Sequence, residues 1–358
     1  MRTGIANLPL HYGKAPRWLF QRMKEMAREI TIVIVSDLGP EEMLRKLSDP
    51  FWFQAFGCVL GFDWHSSGVT TTVCGALKEA VKGLEKDLGL YVAGGKGGTS
   101  RQTPLEIMRV GDQLTVDPQR LVYASKMAAK VDSAALQDGY QIYHHAFIFT
   151  PGGAWTVVQQ GMNEASRYAR RYHWLSEQVT DFVCEPHSAI CCDRTGKPLN
   201  MVAEESRAAR EVSTAVSHAR PETLVAELKK MQELALPAHH EVQLAEIHPD
   251  RLYTVFLKTY DRQPQDFATL LSLEGVGPKT IRALSLISDL VYGAAPSFRD
   301  PVRFSFAHGG KDGHPYPVDR ANYDRSIELL KRAISAARLG NREQLDAFRR
   351  LARFTGEK

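Results

Sequence analysis

The stretch DFATLLSLEGVGPKTIRALSLISDLVYG, residues 266–293, contains two apolar segments of helical periodicity joined by a glycine-rich turn. Before the turn, apolar residues recur on one helix face at Phe267, Leu270, Leu271 and Leu273. After the turn, the same spacing is kept by Ile281, Leu284, Ile287 and Leu290. The pattern predicts two packed helices with a tight turn at Gly275-Val276-Gly277.

Glycines flank the central valine of this turn, and this arrangement is the helix-hairpin-helix signature. Without a Cβ, positions 275 and 277 let backbone N–H groups face outward at the start of the second helix. The positive end of the helix dipole stabilises a phosphate there, so a DNA backbone phosphate is the expected ligand. We therefore predict a DNA-binding turn formed by Gly275, Val276, Gly277 and Thr280. The alternative is a plain tight turn between packed helices.

Lys279 follows the turn, and Asp319 closes the tripeptide PVD further along the chain. With the hairpin, these residues resemble the helix-hairpin-helix DNA glycosylases, the superfamily that includes endonuclease III and 8-oxoguanine glycosylase. The resemblance implies that Lys279 attacks the sugar C1′ and forms a Schiff base, while Asp319 assists departure of the base. The interval between them is longer than is usual in that family. Lys279 as a phosphate contact and Asp319 as a helix N-cap are the alternatives.

The segment SFRDPVRFSFAHGGKDGHPYP, residues 297–317, mixes basic and aromatic residues. Such interleaving is typical of a strand or hairpin that follows phosphates and stacks on unpaired bases. It predicts DNA contacts at Arg303 and Lys311. An ordinary hairpin with Phe304 and Phe306 packed inward is the alternative.

In the N-terminal half, AGGKGGTSRQTP, residues 93–104, follows a strand-like run and precedes a helix. Its glycines expose backbone N–H groups beside Lys96 and Arg101, which predicts a phosphate or nucleic-acid contact. A flexible linking turn is the alternative. The other residues in this half that suit nuclease chemistry are Asp63, His65 and His144. Strand alternation predicts that His144 and its neighbour His145 point to opposite faces, so at most one of them can join a given site.

The charge of the chain is unevenly distributed. Its 358 residues carry a net charge of +4, which alone says little about a polyanionic partner. Residues 262–358 contain 16 Lys and Arg against 11 Asp and Glu, so the whole positive excess lies at the C-terminal end. This distribution favours a near-neutral body carrying a basic DNA-binding module.

Further features limit the compartment and the cofactors. The longest apolar run, residues 30–35, is too short for a membrane span, and the N-terminus lacks the apolar core of a secretory signal. We therefore expect a cytoplasmic protein with no membrane partner. The five cysteines match no zinc-binding spacing, and we predict no metal or cofactor in the leading hypothesis.

Two architectures are predicted to share the chain, which makes the fold class α+β. Strand-like runs at 30–35, 90–93, 140–150 and 155–160 alternate with helical runs that include residues 72–88 and 118–136. Pro151-Gly152-Gly153 is predicted to join the last two strands as a hairpin. From residue 163 onward, helix follows helix. Arg167, Arg170 and Arg171 are then predicted to lie at adjoining positions of one helix, where they could line a DNA groove; a solvated helix face is the alternative. We predict a mixed α/β domain over 1–185 and an all-α helix-hairpin-helix domain over 186–358.

Over nearly its whole length, the chain also resembles the uncharacterised family known as domain of unknown function 763. The stretches that carry this resemblance are RTGIANLPLHYGKAPRWLF (2–20), GGKGGTSRQTP (94–104), QQGMN (159–163), ARRYHW (169–174), GVGPKTIRALSLISDLVYG (275–293) and GGKDGHPYPVD (309–319). The resemblance implies that both halves belong to one unit, and it brings no assigned activity.

The function expected from these observations is DNA repair by a DNA glycosylase with AP-lyase activity, acting on a flipped damaged nucleotide. Lys279 and Asp319 are its predicted catalytic residues. The alternative enzyme is a DNA nuclease, with divalent-metal chemistry in the N-terminal half and the hairpin as a DNA grip. A non-catalytic protein that binds DNA structures is the third possibility.

Overall fold

The computed structural model describes residues 15–62, 67–192, 195–233, 247–302 and 320–355. The fold is mixed, with many helices around an antiparallel sheet. The helices are α1 (Arg17–Leu38), α2 (Pro40–Ser48), α3 (Pro50–Leu60), α4 (Gly68–Val81), α5 (Glu85–Leu88), α6 (Thr103–Arg109), α7 (Pro118–Lys130), α8 (Arg207–Val216), α9 (Pro221–Gln232), α10 (Pro249–Arg262), α11 (Phe267–Ser272), α12 (Pro278–Tyr292), α13 (Arg320–Ala336) and α14 (Asn341–Thr355). A five-residue π-helix, Val131–Ala135, follows α7 directly.

The strands form two antiparallel sheets. They are β1 (Tyr91–Lys96), β2 (Leu136–Gln137), β3 (Gln141–Phe149), β4 (Trp155–Asn163), β5 (Tyr168–Leu175), β6 (Ala189–Cys191) and β7 (Leu199–Asn200). The main sheet has the order β1-β3-β4-β5-β6, and β2 pairs with β7. The predicted hairpin between the second pair of strand-like runs is confirmed, because Phe149 of β3 lies opposite Trp155 of β4.

Each face of the main sheet packs against its own set of helices. Alternation along β3 and β4 sends Phe147, Phe149 and Val157 to one side, where they form a core with α7 to α12. We call this side the hairpin face. Ala146 and Val158 point to the opposite face, where the core is completed by α1 to α4, α13 and α14. The sheet is therefore buried on both sides, and side chains from both halves of the sequence share these cores. The predicted domain boundary at residue 185 stays a prediction.

The predicted strand at residues 30–35 is wrong, because these residues belong to α1. The run is rich in β-branched side chains, which favour strands. Positions of α1 that are fully buried recur three or four residues apart, as on one helix face: Met23, Ala27, Ile30, Thr31 and Ile34. Packing of that face against α4 and α2 outweighs the local propensity.

The helix predicted from residue 163 is also wrong, because β5 occupies residues Tyr168–Leu175. Strand alternation sends Arg170 and Arg171 to opposite faces of the sheet, and both side chains are buried. They therefore cannot line a DNA groove together on one helix. Arg170 instead forms ion pairs with Asp138 at 3.0 Å and Asp300 at 2.9 Å.

Two other predicted helices end earlier than expected. The one proposed for 72–88 is interrupted at Gly83, whose φ of +82° is in the left-handed region that ends α4 and allows α5 to begin. The one proposed for 118–136 changes into the π-helix after Lys130. Among the described residues, no helix combines the length and the hydropathy needed to cross a bilayer.

Candidate functional site

The hairpin between α11 and α12 has the conformation that its glycines predict. Asp266 caps α11 by accepting a hydrogen bond from the Thr269 N–H at 2.7 Å. Gly275 adopts a φ of +91°, which a side-chain-bearing residue reaches only with strain. Val276 is 2% exposed and anchors the turn in the core. Burial of the Val276 side chain thus fixes the turn on the core side, while the backbone on either side of Val276 lies at the surface.

The N-terminus of α12 is open toward the surface. Gly277 is its N-cap and provides no side-chain cap, and the first turn of α12 has no acidic residue. Gly277 has an extended φ of −133°, and a Cβ built there would meet only the Gly275 carbonyl oxygen, at 4.0 Å. Lys279 is exposed beside this opening, whereas Thr280 is 2% exposed and buried. The local electrostatics therefore favour an approaching anion.

A lysine from the N-terminal half holds the hairpin from inside. Lys130, the last residue of α7, donates through Nζ to the carbonyl oxygens of Leu271 at 2.7 Å, Leu273 at 2.5 Å and Val276 at 3.1 Å. These three acceptors use all three N–H donors of an ammonium group. Burial lowers the pKa of Lys130, and the nearby carboxylate of Glu274 acts in the opposite direction.

Gln137 in β2 adds a second contact between the halves. Its Nε2 donates to the Pro278 carbonyl at 2.9 Å, and its Oε1 accepts from Nε of Arg282 at 2.8 Å. Lys130 and Gln137 lie at the two ends of the segment containing the π-helix. Both the turn and the first residues of α12 are therefore docked on that segment.

Several predicted residues lie outside the described part of the chain, namely Asp63, His65, Arg303, Lys311 and Asp319. Asp319 immediately precedes α13, whose first residue is Arg320. The predicted pairing of Asp319 with Lys279 therefore stays a prediction, as do the DNA contacts of the basic and aromatic segment.

Lys96 and Arg101 lie at the edge strand β1 and the short 3-10 helix Gly97–Gln102, which packs on β3 and α6. The hairpin packs instead on α7, α8 and the π-helix. Lys96 is exposed, with its Nζ 5.8 Å from the centroid of the Tyr143 ring. The structure thus places the two predicted phosphate contacts, the glycine loop and the hairpin, in different surroundings.

The two adjacent histidines of β3 point to opposite faces, as strand alternation predicts. On the hairpin face, His145 bonds through Nε2 to Ser125 Oγ and through Nδ1 to Gln159 Oε1, each at 2.8 Å. His144 is 1% exposed on the opposite face, and within the described part of the chain neither of its ring nitrogens has a hydrogen-bond partner. Burial lowers the pKa of His144 to about 3, so the ring is neutral at pH 7.

Asp132 of the π-helix is the centre of a buried polar network that sequence reasoning missed. Its Oδ2 accepts from Gln159 Nε2 at 2.5 Å and from the Trp174 indole N–H at 3.0 Å. Its Oδ1 is 2.5 Å from Nε2 of His187. Gln159 connects the same carboxylate to His145, so the network runs from Ser125 to His187 across the hairpin face.

His187 also lines a cavity of about 410 Å³. Asn200, Arg299 and Asp300 contribute to the same wall, together with Glu185, a non-glycine residue held at a φ of +43°. A carboxylate that orients a histidine at a cavity wall can support proton transfer. Within the described ranges, no group of three or more His, Cys, Asp or Glu side chains is arranged to hold a metal ion.

No sequence signal identified the residues that connect these parts. Lys130 is 141 residues from Leu271, and Asp132 is 55 residues from His187. In the sequence, Lys130 is an ordinary basic residue at the end of a helical pattern. Only the three-dimensional arrangement shows that it lies under the hairpin.

Comparison with known proteins gives one match. No curated protein and no solved structure matches the chain. The matching family model is described as "Protein of unknown function (DUF763)" and covers residues 4–318. Because this match covers most of the 358 residues, the chain belongs to the DUF763 family.

Proposed function

We propose that this protein binds DNA through the turn at residues 273–280 and acts as a DNA repair enzyme. The main support for this proposal is the structure of the hairpin. The N-terminus of α12 is open, and Lys279 is exposed beside it. Lys130 donates hydrogen bonds to the carbonyl groups on the inner side of the turn. A phosphodiester group fits this arrangement because outward backbone N–H groups, the helix dipole and Lys279 all favour an anion. In this proposal, helices α8 to α12 form the helix-hairpin-helix unit, and the sheet supports it.

The rigid docking of the hairpin strengthens the proposal. A phosphate contact contributes most to affinity when its donors are already in place, because binding then loses no conformational entropy in ordering them. Lys130 and Gln137 fix the turn and the start of α12 before any ligand arrives. A turn that only joined two helices would not require its outer side at Gly277 to stay open.

The enzymatic part of the proposal is a DNA glycosylase with AP-lyase activity, as the resemblance to helix-hairpin-helix glycosylases implies. The amine nitrogen of Lys279 would form a bond to C1′ of the lesion sugar as the glycosidic bond breaks, and the damaged base would leave with the electron pair of that bond and one proton from the nitrogen. The nitrogen lone pair would then open the sugar ring by breaking the C1′–O4′ bond, and transfer of the second N–H proton to O4′ would give the imine. Asp319 would stabilise the positive charge that develops on the sugar.

DNA binding is tested with Gly277→Ala, a variant that the fold tolerates because the backbone is extended and the site of the new methyl group is open. We expect an unchanged melting temperature and about a tenfold rise in Kd for a short duplex, measured by fluorescence anisotropy. Lys279→Ala should reduce the slope of log K against log salt by about 1. Lys86→Ala, an exposed lysine on α5, is the control. Wild-type affinity in both hairpin variants would refute the proposed grip.

The lyase is tested by borohydride trapping on DNA that contains abasic or damaged-base sites. Reduction of the imine should leave a covalent protein–DNA adduct, which Lys279→Ala loses and Lys86→Ala keeps. Absence of an adduct with every lesion excludes the lyase. Metal-dependent cutting of undamaged DNA that persists in Lys279→Ala would favour the nuclease, and binding without any change to the strand would favour a non-catalytic DNA-binding protein.

A further inference from the structure

A cavity of about 470 Å³ lies on the opposite face of the sheet from the hairpin, between α1, α4 and the edge strand β1. Its polar wall includes Lys24, Thr71, Gly94, Gly95, Lys96 and Thr99, together with Gln21, Lys78 and the carboxylate of Glu79. Apolar side chains, including Phe20 and Val92, complete the lining. The cavity is therefore large enough for a small organic ligand and has both a polar and an apolar part.

Two of the three lysines at this cavity have uncompensated charges. Lys78 donates to the Glu106 carboxylate and to the Gly94 carbonyl, each at 2.8 Å, so its donors are already used. Lys24 and Lys96 form no ion pair with any carboxylate of the described residues. Glu79, at the same cavity, lies 3.9 Å from Lys82. The remaining positive charge makes the cavity attractive to an anion.

The glycine-rich backbone of the polar wall lets a ligand approach closely. Gly94 and Gly95 have φ values of +86° and +146°, and Gly97 follows at +59°. A Cβ on Gly94 would lie 2.2 Å from the His145 carbonyl oxygen, so only glycine fits there. At Gly97 and Gly98, no described residue other than the chain neighbours has an atom within 4 Å of an added Cβ. The turn thus offers an open backbone of the kind that binds phosphate oxygens.

His144 provides an independent indication of a ligand. It is not itself a lining residue, but it lies opposite Lys96 in the strand register and points to the same side of β3 as Ala146, and both of these residues line the cavity. The side chain is 1% exposed, yet neither ring nitrogen has a hydrogen-bond partner among the residues that the structure describes. Buried polar groups are nearly always hydrogen-bonded, so an unsatisfied imidazole at this position indicates that a bound molecule provides its partner.

We propose that this cavity binds a phosphate-bearing nucleotide. The phosphate would lie against Lys24, Lys96 and the glycine turn, the apolar part of the wall would contact the base, and His144 would hydrogen-bond the ligand. A free phosphate ion would leave most of a cavity of about 470 Å³ unfilled, which favours a nucleotide. The site is separate from the hairpin and does not depend on the function proposed above.

The test is isothermal titration of the full chain with deoxynucleoside 5′-monophosphates, inorganic phosphate and unphosphorylated deoxynucleosides. We expect saturable binding of the monophosphates, weaker binding of inorganic phosphate and none of the deoxynucleosides. The double variant Lys24→Ala/Lys96→Ala should raise the Kd about tenfold or more, because two charge-assisted contacts are lost. Lys86→Ala and Gly277→Ala should leave it unchanged.

A second variant separates binding from folding. His144→Phe preserves the size of the ring but removes both nitrogens, so the protein should fold and bind the monophosphates more weakly. A DNA oligonucleotide with a 5′-phosphate, compared with the same strand lacking it, distinguishes a DNA end from a free nucleotide as the source. The proposal is overturned if neither source binds in a phosphate-dependent manner, or if the lysine double variant binds like the wild type. Wild-type binding by His144→Phe would remove His144 from the site.

Discussion

On the hairpin face of the sheet, His145 hydrogen-bonds to Ser125 and Gln159. Its neighbour His144, on the opposite face, has no hydrogen-bond partner in the ranges that the structure describes. Both rings are buried to a similar degree. On the first face the contacts continue through Gln159 to Asp132 and from there to His187. On the second face, the His144 ring lies opposite Lys96, which lines a cavity together with Lys24. Neither lysine forms an ion pair with a carboxylate of the described residues.

This difference suggests different roles for the two faces: the hydrogen-bonded face supports the hairpin, and the face with the unsatisfied histidine binds a ligand. A buried polar network whose members are all satisfied is rigid and holds one geometry. Asp132 and Lys130 are two residues apart, so the network also fixes the segment on which the hairpin is docked. An unsatisfied buried group costs free energy unless something binds it. We infer that the hairpin face presents a preformed surface, whereas the opposite face is completed by a ligand.

The largest effect should come from breaking the satisfied network at its centre. Asp132→Ala leaves the donors of Gln159, Trp174 and His187 without their shared acceptor, and we expect the free energy of unfolding to fall by about 3–5 kcal/mol. Urea denaturation measures the change. Asp112→Ala, an exposed carboxylate, is the matched control and should be nearly neutral. A loss below about 1 kcal/mol would mean that the network is not the supporting element of this face.

A smaller loss of stability is expected at the contact between Lys130 and the hairpin. Lys130→Met keeps most of the length of the side chain but removes three hydrogen bonds to the hairpin carbonyls, which should cost about 2–3 kcal/mol of unfolding free energy. Amide hydrogen exchange at residues 273–280 should become faster, and DNA affinity should fall with it. Lys126→Met, an exposed lysine one turn earlier on α7, is the control. Unchanged exchange in Lys130→Met would show that the turn is rigid without the lysine.

The parts of the fold that the sequence predicted are those whose signals are local. The β3–β4 hairpin follows from two strand-like runs around PGG, and α11 and α12 follow from apolar periodicity around GVG. The errors occurred where tertiary packing outweighed propensity. Residues 30–35 have strand composition but bury one face of a long helix, and β5 was concealed because Arg170 and Arg171 resemble surface residues.

The site was predictable only in its exposed part. The hairpin glycines and Lys279 are close together in the chain, so their local pattern is enough to predict an anion-binding turn. Lys130, Asp132 and His187 act through contacts across 27 to 146 residues, which no local pattern encodes. The alternation rule correctly separated His144 from His145, yet nothing in the sequence indicates that one would be satisfied and the other not.

The smallest effect should come from the unpartnered histidine, and it has the opposite sign. His144→Phe replaces a buried imidazole that lacks partners with an apolar ring of similar size, so the unliganded protein should gain about 1–2 kcal/mol of unfolding free energy at pH 7. Asp132→Ala and His144→Phe would then move stability in opposite directions from the two faces of one sheet.

The pH dependence of the same variant sharpens this prediction. Burial lowers the pKa of His144 from 6.5 to about 3, so between these values the unfolded chain binds a proton that the folded chain does not. Stability therefore falls as the pH falls through this window, by about 1.4 kcal/mol per pH unit for this group. His144→Phe should reduce the slope by that amount, while His145 and His173, whose pKa values burial also lowers, keep part of it. Parallel urea-denaturation curves for wild type and variant between pH 7 and pH 5 would mean that His144 is not held neutral without a partner, and the contrast between the two faces would then be lost.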